Sequence, residues 1–255
     1  MRLMGRATCA LLASGLLAAT LSAAQRGPAP TMLRLDAEVT ALACAPSVVY
    51  ETPPAPLQIT GGQDSVVRRM FAPGDLVTIN AGTDHGIEVG QEFYTRRLLL
   101  DSRRAASRKT PAVVRTTGWV RVYAVDKQMS LVTVTHACET IDTGDYLETF
   151  VLPTVPAAAT ATGPAQRENY GRILVGADRR HSYAKGDFMV VDRGSDHGVT
   201  PGARFVVYRD KLQATNFLYD RGEAVAVDVR PESSTLLVTV SRDAFATGDY
   251  VALRK

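Results

Sequence analysis

The sequence predicts an all-β protein: two tandem, small, six-stranded barrel- or sandwich-like repeats joined by a Pro/Ala/Thr-rich linker. Three observations lead there. Gly74, Asp75, Gly82, Asp84, His85, Gly86, Gly90 and Phe93 recur 112 positions later as Gly186, Asp187, Gly194, Asp196, His197, Gly198, Gly202 and Phe205. Downstream, Leu131 to Val134 matches Leu237 to Val240, and Thr143 to Tyr146 matches Thr247 to Tyr250. Between these marks lie short runs rich in Val, Ile, Tyr and Phe, spaced evenly and separated by Gly-rich turns, which is strand and hairpin chemistry.

Residues 1–24 read as a secretory signal peptide. Arg2 and Arg6 give a positive start, Ala7 to Leu21 is almost wholly apolar, and Ser22, Ala23 and Ala24 suit cleavage before Gln25. The apolar run of about 15 residues falls short of the roughly 20 that span a bilayer. Cys9 opens that run without the apolar-then-small pattern of a lipidation site. An exported, periplasmic chain is the expectation. Loss of the signal removes two arginines and no acid, so the net charge falls from +3 to +1. Nucleic acid is then excluded as the main partner, because neutralising phosphates takes a concentrated basic surface.

Residues 25–56 read as an N-terminal extended segment. Leu33, Leu35, Ala37 and Val39 alternate as in a strand, and Pro53, Pro54 and Pro56 force an extended passage. The first repeat occupies 57–151. Val120, Val122 and Ala124 give one of its strands a buried face. Residues 152–169, with Pro153, Pro156 and Pro164 among Ala and Thr, form a flexible linker. The second repeat, 170–255, holds six strands near Arg172–Val175, Asp187–Asp192, Arg204–Arg209, Ala224–Val229, Thr235–Ser241 and Tyr250–Leu253. A short helix between Asp101 and Ser107 is the best exception to the all-β pattern. In modules this small, Phe93 and Phe205 should each contribute about 3–5 kcal/mol, read as the cost of truncation to Ala.

Cys44 and Cys138 remain after processing, and an even pair in an oxidising compartment predicts a disulfide. It would close a loop of roughly 95 residues, stabilising the fold by about 4–5 kcal/mol on loop entropy. No CxxC or HxxxH pattern accompanies the pair, so no metal site is expected. No cofactor is expected either.

The repeated residues read first as architecture. Gly82, Gly86 and Gly90, with Gly194, Gly198 and Gly202, leave a strand where positive φ is nearly free only for Gly. Asp84 and Asp196 should accept backbone N–H groups within the turn. Each Gly-Asp pair marks the start of a strand. The Asp84-His85 and Asp196-His197 pairs are the only hint of acid–base or metal chemistry. No Ser, Cys or third ligand recurs at a fixed offset, so no catalytic residue is assigned.

The run Gly186, Asp187, Gly194, Gly198, Val199, Gly202, Phe205, Val207, Tyr208, Arg209, then Gly222 and Gly248-Asp249, resembles a β module of bacterial envelope proteins. It is similar to the C-terminal domain of flagellar assembly protein T and to the tandem domains that accompany LysM peptidoglycan-binding modules. The resemblance implies an accessory or structural envelope protein without a fixed set of catalytic residues. The chain departs from it in carrying His85 and His197 and in lacking a LysM sequence.

The first repeat also carries a basic insertion, with Arg96, Arg97, Arg103, Arg104, Arg108, Lys109 and Arg115 against the single acid Asp101. Arg103, Arg104, Arg108 and Lys109 are its candidate contacts to an anionic surface, such as glycan or phospholipid headgroups, against the alternative of a solvated loop. Trp119 and Tyr123, on one face of a strand, could stack on sugar rings. The leading expectation is a non-enzymatic exported scaffold whose partner is an envelope protein or cell-wall glycan. The alternatives are a peptidoglycan- or carbohydrate-binding module and, behind it, a metal-dependent hydrolase.

Overall fold

The computed structural model describes residues 36–64, 67–99, 111–161, 163–166, 168–177, 180–210 and 217–255. The chain starts with helix α1 (Ala37–Cys44) and strand β1 (Ser47–Val49). The first repeat follows as β2 (Ile59–Gly62), β3 (Met70–Phe71), β4 (Leu76–Ile79), β5 (Glu92–Leu99), β6 (Ala112–Val125), β7 (Ser130–Ala137), β8 (Ile141–Asp142) and β9 (Tyr146–Thr149). The second is β10 (Gly171–Gly176), β11 (Ser182–Tyr183), β12 (Phe188–Val191), β13 (Arg204–Asp210), β14 (Leu218–Val229), β15 (Ser234–Ser241), β16 (Phe245–Ala246) and β17 (Tyr250–Leu253).

The protein is all-β, and the two repeats share one topology. The second is a closed six-stranded barrel in the order β10-β12-β15-β14-β13-β17, with β10 paired back to β17. The first runs β2-β4-β7-β6-β5-β9 in the corresponding order. Its ends meet more loosely, through a bridge between Gln58 and Tyr146 and the bonds Ile59 N to Asp145 O (3.0 Å) and Leu147 N to Leu57 O (2.9 Å). Closure leaves the second repeat few open backbone edges, and the bridge at Gln58 and Tyr146 narrows the gap in the first. A two-stranded ribbon packs beside each barrel core, β3-β8 and β11-β16, and buries Phe71, Ile141, Tyr183 and Phe245. At two residues per strand these ribbons are too short to give an alternation that sequence can reveal.

Inside the first barrel lie Val77, Ile79, Phe93, Val120, Val122, Val132 and Val134, and inside the second Met189, Val191, Phe205, Val207, Leu236 and Val238. Ala124 breaks the expected inward pattern and is exposed. The register of β6 slips between Val122 and Ala124, and such a bulge turns the next side chain to the other face.

Two expectations need correction. Residues Ala37 and Val39 sit in a helix, not a strand. The Asp36 side chain accepts from the Glu38 N–H (3.3 Å) as an N-cap, and Ala and Leu favour the helix that follows. Leu33 and Leu35 lie outside the described residues, as do the proposed helix at 101–107 and Arg103, Arg104, Arg108 and Lys109. The Pro/Ala/Thr-rich linker has no helix or strand among its described residues, yet it is not loose. Ala159 N bonds Gly202 O, Gly163 N bonds Lys255 O and Gln166 N bonds Leu253 O, each at 2.8 Å, so the linker lies against the second barrel. Among the described residues no helix is long and apolar enough to cross a membrane.

The repeated Gly-Ser/Thr-Asp-His-Gly segments form 3-10 turns, Thr83–His85 and Ser195–His197. Gly86 closes the first at φ 74°, as a left-handed residue should. Gly82 is different. Its φ of −141° suits any residue, but a Cβ there would overlap the Asp126 and Lys127 carbonyl oxygens of the β6–β7 hairpin. Gly194 repeats this against Arg230 and Pro231. Gly82→Ala should therefore cost about 3 kcal/mol by overpacking against backbone. Gly86→Ala, with open space around it, should cost about 1 kcal/mol of left-handed strain. Urea unfolding midpoints of the two variants check the order.

Candidate functional site

The segment before the first barrel is what joins the two barrels. Cys44, at the end of α1, is disulfide-bonded to Cys138 at the end of β7, with the Cα atoms 5.6 Å apart. Pro46 prevents the helix from continuing. Strand β1 then pairs antiparallel with β6, Ser47 opposite Val114 and Val49 opposite Ala112. The other side of the segment faces the second barrel. Leu42 and Ala45 bury against Phe188 and Val227, with Val155 and Leu237 at the margin. Thr235 Oγ1 donates to the Pro46 carbonyl at 3.4 Å. This contact covers the outward Phe188 of β12, while Met189 and Val191 fill the barrel.

An aromatic cluster fills the space between α1 and the outer face of the first barrel. Trp119 stacks on His136, centroids 4.1 Å apart and planes 16° from parallel. It meets Tyr94 edge-on at 6.3 Å and Phe150 at 5.4 Å, while Ala43 covers it from the helix. Trp119 is consequently only 7% exposed, whereas Tyr123, further along the same strand, is 65% exposed. The two do not form a paired platform for sugar rings, because α1 and Phe150 cover the first of them.

His136 brings its Nε2 to 3.9 Å from Cys44 Sγ. Burial lowers its pKa from the ordinary 6.5. The unfolded chain therefore takes up the proton first on acidification. The stability this site contributes is complete above pH 6.5 and declines as the pH falls toward the folded-state pKa. A histidine NMR titration should place the His136 midpoint below 6.5.

Beside the joining segment lies a cleft of about 320 Å³ between the barrels, lined in part by Ser47, Tyr94, Arg96, Glu148, Asp228 and Arg230. Its charges are largely matched. Arg96 pairs with Glu148 at 3.0 Å, donates to Thr116 Oγ1 at 2.7 Å and lies 4.4 Å from the Tyr94 ring centroid. Arg230 pairs with Asp228 at 3.3 Å. The Tyr94 hydroxyl donates to the Val151 carbonyl (2.9 Å), and burial raises its pKa above 10.0 although Arg96 opposes the shift. Such a cleft suits recognition of a mixed polar and apolar surface.

The other singled-out residues sit apart from this place. His85 and His197 are exposed, each on the turn of its own barrel. His197 Nδ1 accepts from Gly194 N at 3.3 Å. Asp84 and Asp196 are exposed too, and accept no hydrogen bond in the turn among the described residues. Backbone carbonyls across the hairpin take that role: Thr83 N and Asp84 N reach Asp126 O and Lys127 O, and Ser195 N and Asp196 N reach Arg230 O and Pro231 O. Arg96, Arg97 and Arg115 are not insertion cations facing outward. Each lies in a strand and pairs with an acid, Glu148, Asp145 and Glu139 respectively.

Two features escaped the sequence reading. One is His136, whose signal was His-x-Cys on a strand, a spacing that puts both side chains on one face. The other is a pair of duplicated buried ion pairs. Arg97 grips Asp145 with Nε (2.7 Å) and Nη2 (2.8 Å), and Arg209 grips Asp249 with both atoms at 2.6 Å. Each Asp also accepts a backbone N–H from the two-stranded ribbon, of Asp142 in β8 and of Ala246 in β16. The repeated Gly-Asp and the Arg four positions after the Phe in each copy, Phe93 to Arg97 and Phe205 to Arg209, were that signal. No protein-family model matches the chain, and a search of curated proteins returned no match.

Proposed function

We propose that the chain is a non-enzymatic, exported accessory protein of the cell envelope, a scaffold that presents two β-barrels to a partner protein as one unit. The observation that carries this reading is the joining segment. Residues 36–49 engage the first barrel by a disulfide and a strand pairing, and the second by apolar burial and a hydrogen bond. A chain that fastens two copies of one module in this way is organised for presentation, and the shared cleft supplies a surface that neither barrel has alone. The signal-like leader and the disulfide support an oxidising compartment. The resemblance to envelope modules points the same way. The buried Trp119 weighs toward a protein partner over cell-wall glycan.

A photo-cross-linking residue placed at Thr154 in the cleft, or at exposed Tyr123, tests this in intact cells. The expected result is one discrete adduct with an envelope protein, formed from chain that begins at Gln25 and carries no free thiol. Recovery of unprocessed, reduced chain in the cytosol without an adduct would overturn it. Sedimentation with purified peptidoglycan should leave the protein in the supernatant.

A further inference from the structure

We propose that Cys44, His136 and Cys138 form a metal site that the disulfide masks: once reduced, the chain binds one zinc-type divalent cation through two thiolates and the His136 imidazole. The donor atoms of all three residues lie within 4.8 Å of one another. Zinc holds Cys sulfur at about 2.3 Å and His nitrogen at about 2.0–2.1 Å, so in a tetrahedral site neighbouring donors stand roughly 3.5–3.8 Å apart. Nε2 of His136 already lies at 3.9 Å from Cys44 Sγ. The two bonded sulfurs must separate, and Cys138 Sγ, within 4.8 Å of the imidazole, must settle at the same spacing.

The imidazole is held for this task. Its face is stacked on Trp119, which fixes the ring plane, and Nε2 is the nitrogen turned toward sulfur. Orientation of a histidine ligand by its surroundings is a usual requirement of a metal site. All three residues are half-buried, which limits competition from water without closing the site. Cys138 also lines an open depression with Arg68, Met70, Phe71 and Pro73, which gives an ion a path in.

The chemistry balances as two steps. A dithiol reductant gives two electrons and two protons to the Cys44–Cys138 bond and leaves as its own disulfide, producing two thiols. The cation then displaces both thiol protons and takes the nitrogen lone pair, with a fourth position open to water or another ligand. The ligands come from the end of α1 and the end of β7, so the ion ties together the same two elements as the covalent bond. The reduced chain therefore keeps its helix fastened while thiols persist.

The test uses the chain carrying Cys9→Ser, reduced with a phosphine under anaerobic conditions and titrated with Co²⁺. A thiolate-to-cobalt charge-transfer band should saturate at one ion per chain and bleach when Zn²⁺ is added. The oxidised chain should give none. His136→Gln should weaken binding by more than the roughly 10- to 100-fold that loss of an outer-sphere partner costs. The absence of a band in the reduced chain, or equal affinity in His136→Gln, overturns the proposal. Should His136→Gln fail to fold, alkylation of the reduced parent decides: Zn²⁺ should protect Cys44 and Cys138 together, and unchanged alkylation rates overturn the site.

Discussion

Reducing the Cys44–Cys138 bond in the presence of a chelator is expected to lower the unfolding free energy by at least about 4–5 kcal/mol. The bond spans 94 positions, and the denatured chain recovers the corresponding loop entropy, for which the chain-entropy model gives about 4–5 kcal/mol. A second loss adds to it. Without the bond, α1 is held to the first barrel only by Ala43 on the aromatic cluster and by the short β1 pairing. Its detachment uncovers Trp119 on one barrel and Phe188 and Val227 on the other. Urea unfolding of oxidised and reduced protein, followed through the single tryptophan, measures both effects. Reduction should shift Trp119 emission to the red below the main transition. A Cys44→Ser/Cys138→Ser chain should behave like the reduced one. A loss under about 1 kcal/mol would mean that native strain offsets the entropy of the closed loop.

Asp145→Ala is the second large effect, at about 3–5 kcal/mol, the usual result of breaking a buried ion pair from one side. The Asp145 side chain is 2% exposed and that of Arg97 23%. Besides the two Arg97 bonds it accepts Thr117 Oγ1 (2.9 Å) and Asp142 N (3.0 Å). The variant removes the bidentate acceptor of the Arg97 guanidinium, which keeps Asp142 and the Thr140 carbonyl, and leaves the Asp142 N–H of β8 without its carboxylate. Asp249→Ala should cost less, by about 1 kcal/mol, because no hydroxyl corresponds to Thr117 there and one neutral hydrogen bond contributes about that much. The double change Arg97→Met/Asp145→Leu distinguishes charge from packing. It should recover the part of the loss owed to the guanidinium, while the Thr117 hydroxyl and the Asp142 N–H still lack the Asp145 acceptor. Equal losses in the single and double variants would sink the assignment to a stranded charge.

Much of the fold was legible. The six strands of the second repeat overlap the observed ones, because Val, Ile, Tyr and Phe concentrate in them and turn residues bound them. The disulfide was legible from compartment and parity. What escaped was set by distance along the chain. Leu33 to Val39 alternates locally, but an Asp36 cap and a disulfide to residue 138 decide that part of it is helix. Trp119 and Tyr123 look alike on a strand, and what separates them is α1, some 75 positions earlier, with Phe150 on the other side in sequence. Arg97 read as part of a basic insertion because its partner Asp145 lies 48 residues away. Glycine was over-read as a torsional residue: Gly82 is required for the hairpin that crosses it, a fact no local pattern contains.

The position of the joining segment also sets an order of events. Ribosomes make residues 36–49 before either barrel exists, yet their docking sites lie at Ala112–Val114, Cys138, Phe188 and Val227. The Cys44 thiol must therefore wait for residue 138 of the first barrel, and Leu42 stays unsheltered until Phe188 and Val227 of the second have been synthesised. Oxidation of that thiol marks completion of the first barrel, and burial of Leu42 marks arrival of the second.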